Sequence, residues 1–342
     1  MAKDNSRFWG FVSGNMPGDV LTAQARAMEG LGLGGIWAPQ IYGPPWCALG
    51  ACAAVTQRIT LASGIALAFA RSPFETAMAA MDLDRISGGR FVLGLGPSVR
   101  SWSEGFFGMP YGRPVEHLRE VIHIVREVVA KSHKGELSSF QGKYHRHDWR
   151  EFQPLATPVR PYIPIWVAAV RTPLVRLAGE MADGLIGHPI WSVRWAKEQA
   201  LPALLDSLAR AGRQRADVHF NAWFWVVINR DRREAIEDAK GTVAFYAGIQ
   251  QYEDYFAAHG FQAEARRCQR WVKEGNYAAG AQEVSDEMAQ TFVICGDPDD
   301  VRRRLEPVFE FVDSLTLVPP IGGLPPEKVA AYAQAIAETF YL

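Results

Sequence analysis

Short apolar runs alternate with helix-length amphipathic segments along the whole chain. Arg7–Val12, Gly35–Ala38, Arg58–Ala62, Arg90–Leu95, Ile165–Ala169, Gly184–Gly187, Val218–Ile228 and Ser314–Val318 are short, mostly apolar runs bounded by turn residues. Most lack the polar–apolar alternation of a half-exposed strand, so they read as strands buried on both faces. The segments between them repeat at helical spacing. In 115–131 the residues Leu118, Val121, Ile122, Val125, Val128 and Val129 share one face, and 73–87 ends on Gly88-Gly89. Helices are also expected over 17–30, 46–56, 173–182, 192–212, 298–311 and 326–340, and the stretch 232–290 is mostly helical. Eight strands, each followed by helix, predict an α/β fold: a (β/α)8 TIM barrel with insertions. A doubly wound sheet is the alternative architecture.

Length and composition sharpen this. The chain has 342 residues, and one barrel of about 250 residues leaves room for two excursions in a single domain over 1–342. The first lies near 132–163, which is polar and Pro-rich, with a hairpin expected around Ser138–Tyr144. The second lies near 245–290. With 36 basic and 37 acidic residues the net charge is −1, so the electrostatic signature of a nucleic-acid binder is missing. No run of about 18 apolar residues suggests a membrane span. Cys47, Cys52, Cys268 and Cys295 form no C-x-x-C pair and read as reduced thiols of a cytoplasmic protein.

On a barrel, chemistry sits just after the strands. Those loops are rich in Gly, Ala and Ser, and they hold few ionisable groups. No nucleophile–base pair is visible, no catalytic acid or base is assigned, and chemistry carried by a cofactor fits better than hydrolysis. Leu93-Gly94-Leu95-Gly96 has Val99 where a dinucleotide fingerprint needs its third glycine. His145 and His147 lack an acidic or Cys cluster, so no metal site is assigned. Glu237-Asp238 and Arg302-Arg303-Arg304 read as solvated helix faces. Val170-Arg171-Thr172-Pro173 is more specific. Thr172 suits a helix N-cap and Pro173 the first helical position, so free amides and Arg171 are placed to hold a phosphate. Eleven tryptophans supply large flat surfaces for core packing or for a planar ligand.

The stretches RITLASGIALAFARSPFETAMAAMDLDRISGGRFVLGLG (58–96) and PYIPIWVAAVRTPLVRLAGEMADG (161–184) resemble the bacterial-luciferase-like superfamily. Within it, ALAFARSP and the GHP at 187–189 are most similar to the deazaflavin-dependent branch, whose members use coenzyme F420. The resemblance implies an oxidoreductase that moves a hydride between F420 and an organic substrate, as a homodimer without nucleic-acid or membrane partners. It also implies a non-prolyl cis peptide at Gly64-Ile65, serving as a backstop to the ring. The implied cofactor contacts are Gln40, Gly64, Ile65, Ala66, Gly96, Ser98, Ala169, Val170, Arg171, Thr172, Gly187 and His188. Tyr42, Arg100, Trp102, Glu104 and Trp191 are the candidate substrate-side residues, with Trp9 and Trp37 as further aromatic candidates. Two departures stand out. Gln40-Ile41 replaces the acidic residue and His that many deazaflavin enzymes carry, and Arg171-Thr172 replaces a Gly-Pro. Two other readings stay open. One is an FMN-dependent monooxygenase using reduced flavin and O2, fed by a flavin reductase partner. The other is a non-catalytic flavin- or deazaflavin-binding barrel.

Overall fold

A computed structural model describes residues 4–154 and 156–342. Leu155 of the Pro-rich run and the first three residues lie outside the described residues. Eight parallel strands close on themselves: β1 (Phe8–Phe11), β2 (Gly35–Ala38), β3 (Thr60–Ser63), β4 (Phe91–Gly96), β5 (Ile165–Ala169), β6 (Gly184–Gly187), β7 (His219–Ile228) and β8 (Ser314–Val318). Each pairs with the next, and β8 returns to β1 through Phe8↔Leu315 and Trp9↔Thr316. β2, β4, β6 and β8 are buried along their full length, the first three as unbroken apolar runs and β8 with the hydroxyls of Ser314 and Thr316 hydrogen-bonded inside the barrel. This is a TIM barrel, as the alternation of strand and helix predicts.

Two strands were not in that count. Ala66–Leu67 pairs with the end of β4. Val293–Gly296 pairs with Trp225–Ile228, the distal half of β7. β7 runs ten residues, so its first half closes the barrel and its second half overhangs and takes this extra strand. The helix expected over 298–311 ends at Leu305 and continues as a tighter turn, Glu306–Glu310. Asp238 and Arg304 are not solvated as their charge run suggests. Asp238 pairs with Lys328 at 2.6 Å, and Arg304 donates to the Gln290 carbonyl at 3.0 Å.

The barrel interior takes up four of the eleven tryptophans. Trp9, Trp37, Trp166 and Trp223 pack ring to ring, with centroids 4.7–5.6 Å apart. Trp37 is fully buried, and its indole N–H donates to Thr316 Oγ1 at 3.0 Å. Thr316 in turn donates to Asn221 Oδ1 at 3.2 Å, and Asn221 Nδ2 donates to Ser314 Oγ at 2.7 Å. Trp9 and Trp37 thus belong to the barrel plug.

The excursion near 132–163 folds back on helix Pro114–Lys131. Its hairpin pairs Phe140–Gln141 with Arg146–His147. The Glu120 carboxylate accepts the backbone N–H groups of Lys143, Tyr144 and His145 at 2.6–3.0 Å. Arg160 then grips the buried carboxylate of Asp84 at 2.6 Å and returns the chain to β5. Among the described residues, no helix is long and apolar enough to cross a membrane.

Candidate active site

All eight strands deliver residues to one cavity of about 640 Å³ at their C-terminal ends. Phe11 comes from β1, Pro39–Tyr42 follow β2, and Gly64-Ile65 follow β3. Pro97-Ser98 follow β4, Ala169–Arg171 end β5, and Gly187–Pro189 end β6. Trp223 and Trp225 project from β7, and Val318 ends β8. The second excursion covers this mouth. Phe245, Tyr246, Ile249, Gln251 and Tyr252 complete the wall. Gln251 fastens the cover to the rim, accepting the Arg100 amide at 2.6 Å. Volume and apolar lining match an ordinary small-molecule or cofactor site.

Eleven of the residues singled out from sequence line this cavity: Gln40, Tyr42, Gly64, Ile65, Ser98, Trp102, Ala169, Val170, Arg171, Gly187 and His188. The Gly64-Ile65 peptide is cis, as the resemblance implied. The other six are placed differently. Ala66 is buried behind the wall, where it pairs with Leu95. Gly96 sits under Ile65, since a Cβ there would fall 2.3 Å from Ile65 Cδ1. Trp191 is buried and packs against Gly187 from outside, its indole donating to the Val170 carbonyl at 2.8 Å. Arg100 and Glu104 pair with each other at 2.5 Å on the exposed side of their helix. Thr172 is the first residue of helix Thr172–Met181 rather than its cap. Arg171 holds the extended cap position, and its carbonyl accepts the Leu174 and Val175 amides at 3.2 and 3.4 Å. Pro173 has no N–H and the Leu174 amide is taken by the Arg171 carbonyl, so the Thr172 amide is what the first turn of the helix offers a ligand.

The polar atoms of the wall form a pattern. Gln40 Oε1 accepts from the Leu67 amide at 3.0 Å and from Arg71 Nη2 at 2.7 Å. Arg71 is itself held by Glu75 at 3.3 Å and lies over the Trp46 ring. That double contact fixes the amide orientation, so Gln40 Nε2 is a donor, and it is buried without a partner. The indole N–H groups of Trp223 and Trp225 are likewise buried and unpartnered. Such a donor costs roughly 1–3 kcal/mol when nothing accepts it. All three belong to residues of the cavity wall, so a ligand bringing acceptor atoms within their reach would satisfy them.

His188 adds a fourth donor. Its Nδ1 accepts the Ile190 amide at 3.2 Å, so the neutral ring carries its proton on Nε2. Burial pushes its pKa down to about 3. The unfolded chain therefore binds a proton near pH 6.5 that the folded chain refuses until about pH 3. Stability is complete above about pH 6.5 and falls as pH drops, by up to about 1.4 kcal/mol per pH unit for this one group. Burial lowers His145 to about 4 and shifts His117 and His147 in the same direction. Urea unfolding between pH 7 and 4.5 is expected to show this decline, and His188→Gln should make it shallower by up to about 1.4 kcal/mol per pH unit while the other three histidines sustain the rest.

Sequence reasoning missed Trp223, Trp225, Arg71, Tyr246 and Tyr252. The two tryptophans were within reach, because positions i and i+2 of a strand share a face. The tyrosines lie in a long helical stretch whose sequence carries no sign of where it crosses the barrel mouth.

Residues 7–313 match the family model described as luciferase-like monooxygenase. An uncharacterised protein of Mycobacterium tuberculosis is 32% identical over 313 residues, 88% of this chain and 92% of that one. A putative coenzyme F420-dependent oxidoreductase of the same organism is 31% identical over 271 residues, covering 73% and 76%. Among solved structures, the coenzyme F420 dependent tetrahydromethanopterin reductase of Methanopyrus kandleri superposes with a TM-score of 0.80 at 23% identity, covering 98% and 99%. An FMN complex of a type II Baeyer-Villiger monooxygenase from Pseudomonas putida superposes at 0.63 with 18% identity, covering 95% and 92%. With its barrel, its cavity at the strand ends and a family match across almost its whole length, the chain belongs to the luciferase-like monooxygenase family and is an oxidoreductase.

Proposed function

We propose that the protein binds the deazaflavin coenzyme F420 in this cavity and exchanges a hydride with a small organic substrate. The observation that carries the reading is the set of unpartnered donors, Gln40 Nε2, Trp223 Nε1 and Trp225 Nε1, around an otherwise apolar cavity. A deazaflavin offers what that wall lacks: a flat ring with carbonyl oxygens along one edge. The kinship with a putative F420-dependent oxidoreductase supports the same choice. Gln40, Gly64, Ile65, Ser98, Ala169, Val170 and Gly187 would hold the ring and its chain from the wall, and the His188 ring would border it while keeping its Nε2–H for the substrate side. Ala66 and Gly96 would support Ile65 from behind. Arg171 and the start of helix Thr172–Met181 would meet the phosphate. When bound, the coenzyme gives or takes the hydride. The chain fixes the ring, keeps water out beneath the cover of Phe245–Tyr252, and holds the substrate against the exposed face.

A titration with oxidised F420 and oxidised FMN at pH 7 tests the proposal. F420 should bind at least ~10-fold more tightly than FMN, a gap of about 1.4 kcal/mol. The reverse order would replace it with the flavin monooxygenase reading, which also needs a reductase partner. F420 binding with no hydride exchange toward any donor or acceptor would leave a binding barrel.

A further inference from the structure

We infer that the part of the cavity under its cover takes an uncharged, largely apolar ligand with one carbonyl or hydroxyl oxygen, held by His188, Tyr246 and Tyr252. The inference rests on the hydride-transfer reading only in pairing a ketone with its alcohol. The binding preference itself comes from the wall.

The three rings form one cluster. His188 meets Tyr246 edge-on at 5.0 Å and Tyr252 at 5.8 Å. The two tyrosine rings lie 17° from parallel at 6.3 Å. His188 Nε2–H is left to donate once Nδ1 has accepted the Ile190 amide. The hydroxyls of Tyr246 and Tyr252 have no hydrogen-bond partner among the described residues, although both line the cavity. Burial raises the pKa of both phenols and lowers that of the imidazole, so all three stay uncharged donors across the working pH range. Any two of these three donors would satisfy one oxygen acceptor with its two lone pairs.

The surroundings exclude charge. Among the described residues, no Asp, Glu or Lys lines the cavity. Arg171 is the one lining cation; it is half exposed, and the coenzyme's phosphate would engage it. A buried carboxylate would lack a free counter-ion, and an ammonium would lack a carboxylate. Apolar side chains of the wall stand exposed at the mouth, with Tyr42 at 64% and Ile321 at 59%. Tyr42 stacks on Trp102 at 5.7 Å, a second apolar surface for the ligand's body.

Two probes of matched shape separate the cases: 4-phenyl-2-butanone and 3-phenylpropanoate, titrated into protein saturated with oxidised F420. The ketone should bind at least ~10-fold more tightly. In a Tyr246→Phe/Tyr252→Phe variant, ketone affinity should fall by about tenfold while F420 affinity shifts by less than about twofold. Equal or tighter binding of the carboxylate overturns the inference, as does unchanged ketone affinity in the variant or a parallel loss of F420. Should the wild-type protein fail to bind F420 at all, the coenzyme reading falls, and the same probe pair on the ligand-free protein still decides the substrate class.

Discussion

Gly94→Ala is expected to destabilise the protein by about 3 kcal/mol or more and to weaken cofactor binding with it. A Cβ built at Gly94 would lie 2.0 Å from the Ser63 carbonyl oxygen and 2.9 Å from Ile186 Cδ1. The isoleucine can turn away, but the carbonyl cannot. It belongs to β3, whose register is set by β2 on one side and β4 on the other. Ser63 is also tied to Gly94 itself, its hydroxyl donating to Gly94 O at 2.9 Å and accepting from Gly94 N at 3.0 Å. Relief therefore requires the two strands to separate. Ser63 directly precedes the Gly64-Ile65 wall, so a shift in β3 carries into the cavity. Urea unfolding reads the first effect and F420 titration the second. Gly43→Ala is the control, since a Cβ there meets nothing within 4 Å. A Gly94→Ala protein within about 1 kcal/mol of wild type would show that β3 and β4 can separate at little cost.

Gly94 marks where sequence stops informing. The barrel was legible because a buried parallel strand must be apolar throughout and a surface helix must be two-faced, and both constraints are local. The strand-end loops were legible for the same reason, so most of the candidate wall came from the residues at the C-terminal end of each apolar run. Gly94 itself carries no such mark. Within LGLG it looks like part of a failed nucleotide fingerprint, and its role emerges only when β3 is beside it. The extra strand Val293–Gly296 was hidden because it is short, comes directly after helix, and exists only because β7 overhangs the barrel. Trp191, Arg100 and Glu104 sit in the right loops but point elsewhere, and loop membership does not fix side-chain direction. Tyr246 and Tyr252 reach the site through the path of a long helical excursion, which depends on tertiary packing alone.

The functional prediction with the largest effect concerns the tryptophans. Trp223→Phe/Trp225→Phe should weaken F420 binding by roughly 30-fold, from about 1 kcal/mol for each lost hydrogen bond. Phenylalanine keeps ring contact with Trp37, 5.6 Å from Trp223, and with Tyr246, 6.1 Å from Trp225, while removing both N–H groups. In the ligand-free protein those groups are buried donors without acceptors. Removing them relieves a cost while the smaller ring gives up some packing, so unfolding free energy should stay within about 1 kcal/mol of wild type. Trp37→Phe should do the opposite. Its indole N–H already donates to Thr316 Oγ1, at the head of the chain through Asn221 to Ser314. Deleting it breaks a satisfied buried bond, so stability should drop by about 1–3 kcal/mol, while the direct cavity donors remain. The same chemical change at three rings of one barrel thus separates donors committed to the fold from donors left open for a ligand. If Trp223→Phe/Trp225→Phe loses stability and keeps its affinity, those N–H groups belong to the fold and the cofactor has other partners.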